Sequence, residues 1–160
     1  PPSQATTPPR KRVAASPRYP VPFEHGGILI RRLVRDLRRL GFTLPITSHI
    51  LCACSGGADS TALAVLLARY GRRVGDPGKI VLLHLNHGWR GDESDGDERF
   101  VRRLAKRLGV EFVSEKLRSK PKPGDSWEAH ARTARKEFFV QQSSRFGGAP
   151  VFTAHSADDQ

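Results

Sequence analysis

The residues with most chemistry in this chain lie in the stretch CACSGGADSTALAVLLARY, residues 52–70, where SGGADS joins an apolar run to an apparent helix. Gly56 and Gly57 can take positive φ and carry no Cβ, so successive backbone N–H groups can converge on an anion where the helix begins. The helix N-terminus adds about half a positive charge. Ser55 and Ser60 supply hydroxyl donors, and Ser60 or Thr61 can also cap the helix. Ala58 stands inside the loop and no lysine does, unlike the Walker loop, whose lysine reaches the β- and γ-phosphates. The residues present suit holding pyrophosphate as a leaving group together with magnesium, with Asp59 as the carboxylate. The competing structural reading is a glycine turn with Asp59 near a helix cap.

Three further clusters carry candidate groups. In HLNHGWRG, His84 and His87 flank Asn86, with Arg90 beyond; taken alone this is a polar strand end turning at Gly88. Arg132 and Arg135 lie three apart on one helical face, a spacing that lets both point at one anion, although solvated surface arginines have the same spacing. Near the last residue, His155 precedes the paired acids Asp158 and Asp159, which would need magnesium or an ammonium to neutralise them unless they are exposed loop acids. Glu128 reads as a group that caps or supports its helix.

The elements that must position these groups alternate. Ile30, Leu33, Val34, Leu37 and Leu40 recur at helical spacing with arginines on the other faces, and Gly41 follows as a stop. After that helix come a strand at HILCAC, a helix at ADSTALAVLLARY, a strand at KIVLLHLN and an amphipathic helix at ESDGDERFVRRLAKRLG. A strand at VEFVSEKL, a helix at SWEAHARTARKEFFVQQSSRFG and a strand at PVFTAH complete the series. Apolar strands separated by single helices predict right-handed crossovers and a parallel sheet covered on both faces, the doubly wound α/β class. Ligands in such sheets bind at the carboxyl ends of the strands, where all these clusters fall.

Composition narrows the partners. The 160 residues hold 27 Lys and Arg against 16 Asp and Glu, a net charge of +11 that suits a polyanion, nucleic acid first. No apolar run approaches the roughly 18 residues of a membrane span, so no membrane partner and a cytoplasmic location are expected. Residues 1–25 read as a basic, proline-rich disordered tail, and residues 26–160 as one catalytic domain. The basic tail run Arg10–Arg12 has an RNA contact, a transit peptide or a functionless extension as its readings. Cys52 and Cys54 alternate on a strand and share a face, which fits buried packing and neither a zinc knuckle nor a disulfide framework.

With these segments in hand, SGGADS resembles the PP-loop of the N-type ATP pyrophosphatases. HLNHGWRGDESDGDERFV is similar to the H-x-N-H-G-x-R-G-x-E-S-D signature of the tRNA(Ile)-lysidine synthase family. SWEAHARTARKEFF and TAHSADDQ resemble that family's E-A-x-A-R-x-x-R and A-H-x-x-D-D-Q segments, in the same order from about residue 28 to Gln160. The resemblance implies that ATP adenylates O2 of the wobble cytidine in a tRNA(Ile) with a CAU anticodon. Pyrophosphate leaves, and the amine of free L-lysine displaces AMP at C2.

The resemblance also implies roles. Ser55, Gly56, Gly57, Ala58, Asp59 and Ser60 would hold ATP phosphates, and Asp59 with Asp159 would share Mg2+. Asp59, Arg135, His155 and Asp159 would be catalytic, with Arg135 on phosphate or on the lysine carboxylate. His84, Asn86, His87, Arg90 and Arg132 would line the nucleotide or RNA site. Trp89, Lys136 and Ser156 depart from the family pattern. The family continues beyond the point matched by Gln160, so the catalytic domain is expected to be incomplete, truncated at its C-terminus and poorly active alone. Two other functions fit parts of the pattern: a PP-loop tRNA sulfurtransferase, and a non-catalytic nucleotide- or RNA-binding fragment.

Overall fold

A computed structural model describes residues 23–88, 91–119, 121, 124 and 126–154. The elements run α1 (Phe23–Arg39), β1 (Ile50–Ala53), α2 (Ala58–Tyr70), β2 (Ile80–Asn86), α3 (Asp92–Leu108), β3 (Glu111–Lys116), α4 (Trp127–Arg145) and β4 (Val151–Phe152), with short 3-10 turns at Gly71–Arg73 and Pro77–Lys79. The four strands form one parallel sheet in the order β3-β2-β1-β4. This is the doubly wound α/β arrangement that the alternating pattern predicts.

Strand periodicity explains the two layers. Ile50, Cys52, Ile80 and Leu82 point to one face, where they pack with Ile30, Val34 and Leu37 of α1, Ala64 and Leu67 of α2, and Val101 and Leu104 of α3. Leu51, Val81 and Leu83 point to the other face and meet Phe138 of α4. Burying such a side chain fully is worth about 1.5–3 kcal/mol, so the two clusters account for much of the driving force. The chain moves across the sheet from β1 through β2 to β3 with its helices on the first face. It then returns to β4 with α4 on the second, as crossovers of one hand require. Strand order therefore reverses between β1 and β4.

Two boundaries differ from the sequence pattern. The first helix starts at Phe23, before the apolar periodicity begins at Ile28, and runs through Gly26 and Gly27. Tertiary packing overrides the low helix propensity of glycine here: a Cβ on Gly26 would lie 2.7 Å from the Tyr70 ring, so the ring occupies the space a side chain would need. The last strand narrows from PVFTAH to Val151–Phe152 among the described residues, and its register pairs Leu51 with Val151 and Cys52 with Phe152. One β1 residue, Ala53, follows Cys52 before that strand ends, and Thr153 and Ala154 beyond β4 face a cavity. At the other edge, β3 carries Glu111, Glu115 and Lys116, charges that discourage further strand pairing.

The approach to β1 is tight. Ile46 N–H donates to Val74 O at 2.6 Å, and Ile46 bridges Gly75 in parallel. A Cβ on Gly75 would lie 2.6 Å from Ile50 Cδ1 and 2.9 Å from Ile46 O. The backbone oxygen has no rotamer with which to move aside. Gly75→Ala should therefore destabilise the fold by about 1–3 kcal/mol, the range of overpacked sites, read as a lower urea midpoint with an unchanged slope; an unshifted midpoint would contradict this packing.

Candidate functional site

A cavity of about 430 Å³ opens at the carboxyl ends of β1, β2 and β4. Its position coincides with the reversal of strand order between β1 and β4, the place where such sheets bind ligands. The β1–α2 loop forms one wall. Gly56 takes φ +101°, which L side chains rarely adopt, and the turn lets the chain pass from strand to helix in four residues. The helix cap is Gly57, which offers no side-chain hydrogen bond to the first turn of α2. Helix geometry gives the first-turn N–H groups no acceptor within the helix, so the head of α2 is a donor-rich end facing the cavity.

The two serines brace this loop. Ser55 N–H donates to Ser60 Oγ at 3.2 Å, Gly57 N–H donates to Ser55 Oγ at 3.3 Å, and Ser60 Oγ donates to Gly57 O at 3.1 Å. The hydroxyls lie 3.1 Å apart. They are placed to exchange these internal bonds for bonds to an anion. Ser55, Gly57, Ala58, Asp59 and Ser60 all line the cavity. Gly56 shapes the turn behind them.

His84 is buried, and its Nδ1 lies 2.9 Å from Cys54 O. A carbonyl only accepts, so Nδ1 carries the proton in this contact and Nε2 is the other ring nitrogen at the cavity wall. His87 sits nearby, half-buried. Burial lowers its pKa from 6.5, and the positive charge of Arg135 and the neighbouring His84 lower it further. It therefore stands as a neutral imidazole at neutral pH beside a fixed guanidinium.

Asn86 occupies a different environment from the two histidines. It is almost fully buried, and its Nδ2 donates to Asp95 Oδ1 at 2.7 Å and Glu98 Oε2 at 3.1 Å, while its Oδ1 accepts from Gly88 N–H at 2.9 Å. Lys116 Nζ donates to Asp95 Oδ1 at 2.8 Å. Glu98 Oε1 receives Ser114 Oγ at 2.9 Å and Arg102 Nη2 at 2.8 Å. The amide thus ties the end of β2 to the first turns of α3 and, through the acids, to β3. Its edge reaches the cavity wall, but its polar atoms are committed to the protein. The Lys116 and Asn86 hydrogen bonds hold the Asp95 carboxyl below the usual range. For Glu98, burial pushes the carboxyl up, and the bonds from Asn86, Ser114 and Arg102 together outweigh it.

On α4, Arg135 and Phe139 line the cavity, whereas Arg132 is not part of its lining and lies 3.8 Å from Glu128. Of the two arginines, the structure thus brings Arg135 to the cavity and sets Arg132 beside Glu128. Three residues along a helix turn a side chain about 60° around the axis, enough to carry Arg132 to the outer rim beside Glu128. Arg90, His155, Asp158 and Asp159 lie outside the described residues.

Sequence pattern missed one carboxylate. Asp97 of α3 lines the cavity, and its Oδ1 would lie 3.4 Å from a Cβ on Gly56. The signal was present in the acidic first turns of α3, which follow β2 and so return to the strand ends beside the glycine loop. Asp59 and Asp97 give two carboxylates on one cavity, a set that fits Mg2+, which commonly binds one or two carboxylates and completes its shell with phosphate oxygens and water. Among the described residues no group of three or more His, Cys, Asp or Glu is gathered to hold a metal unaided. Both cysteines are buried and free, as their spacing suggested. Burial, with Cys54 beside it, pushes the Cys52 thiol far up.

A doubly wound sheet with a glycine loop at its switch point defines a class of anion- and nucleotide-handling proteins. The PP-loop domain family matches residues 31–160, and the chain belongs to that family. It is 40% identical over 114 residues to a tRNA(Ile)-lysidine synthase of Thermus thermophilus, covering 69% of this chain and 21% of that protein. It is 33% identical over 135 residues to that of Dehalococcoides mccartyi, covering 82% of this chain and 28% of the relative. The Rhodopirellula baltica protein of the same name is 38% identical over 126 residues, with 69% and 32% covered. The chain thus spans between about a fifth and a third of the length of these relatives. Among solved structures, the U34-tRNA thiolase NcsA from Methanococcus maripaludis shares the fold, with a TM-score of 0.65 at 19% identity over 86% of this chain and 48% of that one. Among the described residues no helix is long and apolar enough to cross a membrane.

Two measurements check the site. Arg135→Gln should raise the His87 pKa, followed by NMR titration of the ring, yet leave it below 6.5 because burial is the larger cause; an unmoved titration would mean that Arg135 does not act on His87. Asn86→Leu should cost about 2 kcal/mol, the penalty of unmade buried polar contacts. Asp95 and Glu98 have folded pKa values below their ordinary 3.8 and 4.5, so they stabilise the fold above those values and lose that contribution as pH falls through the folded ones. The stability gap between Asn86→Leu and the parent should therefore narrow below about pH 4.5. A gap independent of pH would remove the acids from the account.

Proposed function

We propose that this chain carries the ATP site of an enzyme that joins L-lysine to C2 of the wobble cytidine of tRNA(Ile). One observation carries the reading: the glycine loop, His84, His87, Asp97 and Arg135 meet on a single cavity where strand order reverses. Membership of the PP-loop family and 33–40% identity to tRNA(Ile)-lysidine synthases support it. The tRNA with its CAU anticodon, free lysine and a cytoplasmic setting belong to this proposal.

The chemistry follows from the groups present. The head of α2, with Ser55 and Ser60, takes the β- and γ-phosphates. Cytidine O2 attacks the α-phosphorus, the new O–P bond forms, and the bond to the β-phosphate breaks as pyrophosphate departs. Arg135 balances charge on the α-phosphate, and neutral His87 beside it adds no competing cation to the lysine amine, which must be unprotonated to attack C2 and expel AMP. Mg2+ would be held by Asp59 and Asp97, with Asp159 as a further ligand, and would shield phosphate charge. His155 and Arg90 complete the nucleotide and RNA sides in this proposal.

The test is incubation with ATP, magnesium, labelled lysine and total tRNA, followed by nucleoside analysis. It should be run on the chain and on a chimera in which residues 28–160 replace the aligned part of the Thermus thermophilus relative. Lysidine should form in the chimera, with pyrophosphate released only when tRNA is present. Asp59→Asn should lower that release by about 100-fold or more, the scale for losing one charge-stabilising group in a phosphate site. Pyrophosphate release unchanged in Asp59→Asn, or a thiolated nucleoside in place of lysidine, would overturn the reading.

A further inference from the structure

At the opposite end of the molecule α1 carries a row of arginines that the ATP site does not use. Arg31, Arg35, Arg38 and Arg39 of α1 and Arg73 of the 3-10 turn after α2 line an open groove of about 530 Å³ whose floor is Val34. All five side chains are exposed, while Val34 is buried with Ile30 and Leu37 on the core face. The groove is therefore held on a helix whose other face is fixed in the core, and it is not a mobile fringe.

A charged helix face that serves only solubility normally interleaves acids at i and i+4. Between Gly26 and Arg39 α1 has a single acid, Asp36, paired with Arg35 at 3.0 Å. Arg31–Arg35 and Arg35–Arg39 are like-charge pairs at i,i+4, which cost the isolated helix stability, and Arg73 is added to them by a separate element. The cost is relieved by a ligand with several negative charges in a row. Guanidinium forks match phosphate oxygens bidentately, so the ligand chemistry that fits best is a phosphodiester backbone.

The position separates this face from the catalytic cavity. The anion loop opens at the start of α2 and Arg73 lies just beyond its far end, a span of roughly 20 Å for a helix of that length. A mononucleotide cannot reach both, whereas a folded RNA can. We infer that the α1–Arg73 groove is a second RNA-binding face, one that grips the substrate's sugar-phosphate backbone at the amino ends of the strands; this rests on the proposed reading in taking the RNA to be the tRNA substrate.

The experiment compares two triple variants of the full chain, one in the groove (Arg31→Gln, Arg38→Gln, Arg73→Gln) and one removing the same charge from exposed positions elsewhere (Arg103→Gln, Lys106→Gln, Lys136→Gln). Affinity for transcribed tRNA is measured across a salt series, with poly-glutamate as a second probe and ATP binding as a control. The groove triple should lose at least tenfold in tRNA affinity at moderate salt, and its log–log salt slope should shrink by about 2–3, the release expected for three phosphate contacts. The control triple should lose less than threefold, and both should keep parental ATP binding and helix content. Equal losses in the two triples would reduce the effect to net charge and overturn the proposal. So would a groove triple that loses poly-glutamate binding but keeps tRNA, which would indicate an acidic protein partner. The result is independent of the lysine assay: a groove-specific loss stands if lysidine is not formed, and its absence removes the groove whatever the assay gives.

Discussion

The site depends on one turn, the four residues in which the chain leaves β1 and enters α2. Cys54 is the last buried residue of the strand line, Gly56 reverses the backbone at φ +101°, and Gly57 starts the helix without a side-chain cap. Any Cβ at Gly56 would be strained by that φ and would also press toward Asp97 at 3.4 Å. The constraint has two products. It points the donor end of α2 at the strand ends, and it leaves room for a carboxylate from α3 to stand beside the loop. The turn is in its turn supported from β2, because the carbonyl of Cys54 is held by His84.

A second layer of constraint stabilises the neighbouring loop. His87 and Gly88 are placed by Asn86, whose amide is shared between Gly88 and two α3 acids. The acids are in turn fixed from β3 by Lys116 and Ser114. Three consecutive elements, β2, α3 and β3, therefore converge on one buried amide, so the histidine loop is positioned by the sheet. Ionised Asp95 and Glu98 are the acceptors this requires, which is why their lowered pKa values belong to the architecture and not to the chemistry.

Much of this was legible in the sequence because the controlling signals are local. The glycine loop, the strand and helix order and the packing role of the cysteines follow from periodicity, from turn chemistry and from which residue types are absent. The parallel sheet covered on both faces followed from the alternation of apolar strands with single helices. Side-chain direction at the site was less legible. Asn86 sits between two histidines in a motif, and only the fold shows that its hydrogen bonds are spent on α3. Arg132 and Arg135 look equivalent by spacing, and a 60° difference around α4 separates them. Asp97 was hidden among the acids of α3, since which of them returns to the loop depends on how α3 is set against β1 and β2. The start of α1 was missed because Tyr70, distant in sequence, occupies the space at Gly26.

The cavity also explains why its completion is the least local event in the fold. Asp59 and the serines come from β1–α2, Asp97 from α3 on the same face, and Arg135 and Phe139 from α4 on the other face. Nothing local brings the two faces together. They are joined where β4 returns to pair Leu51 with Val151 and Cys52 with Phe152, partners about a hundred residues apart. Leu51, the β1 residue that pairs with Val151, also packs against Phe138 of α4, so β1 itself links the arginine helix to the anion loop. The cationic and anionic walls are thus supplied by opposite layers of the sheet. The phosphate donors sit on the β1–α2 unit and the balancing charge on α4, across the sheet from it.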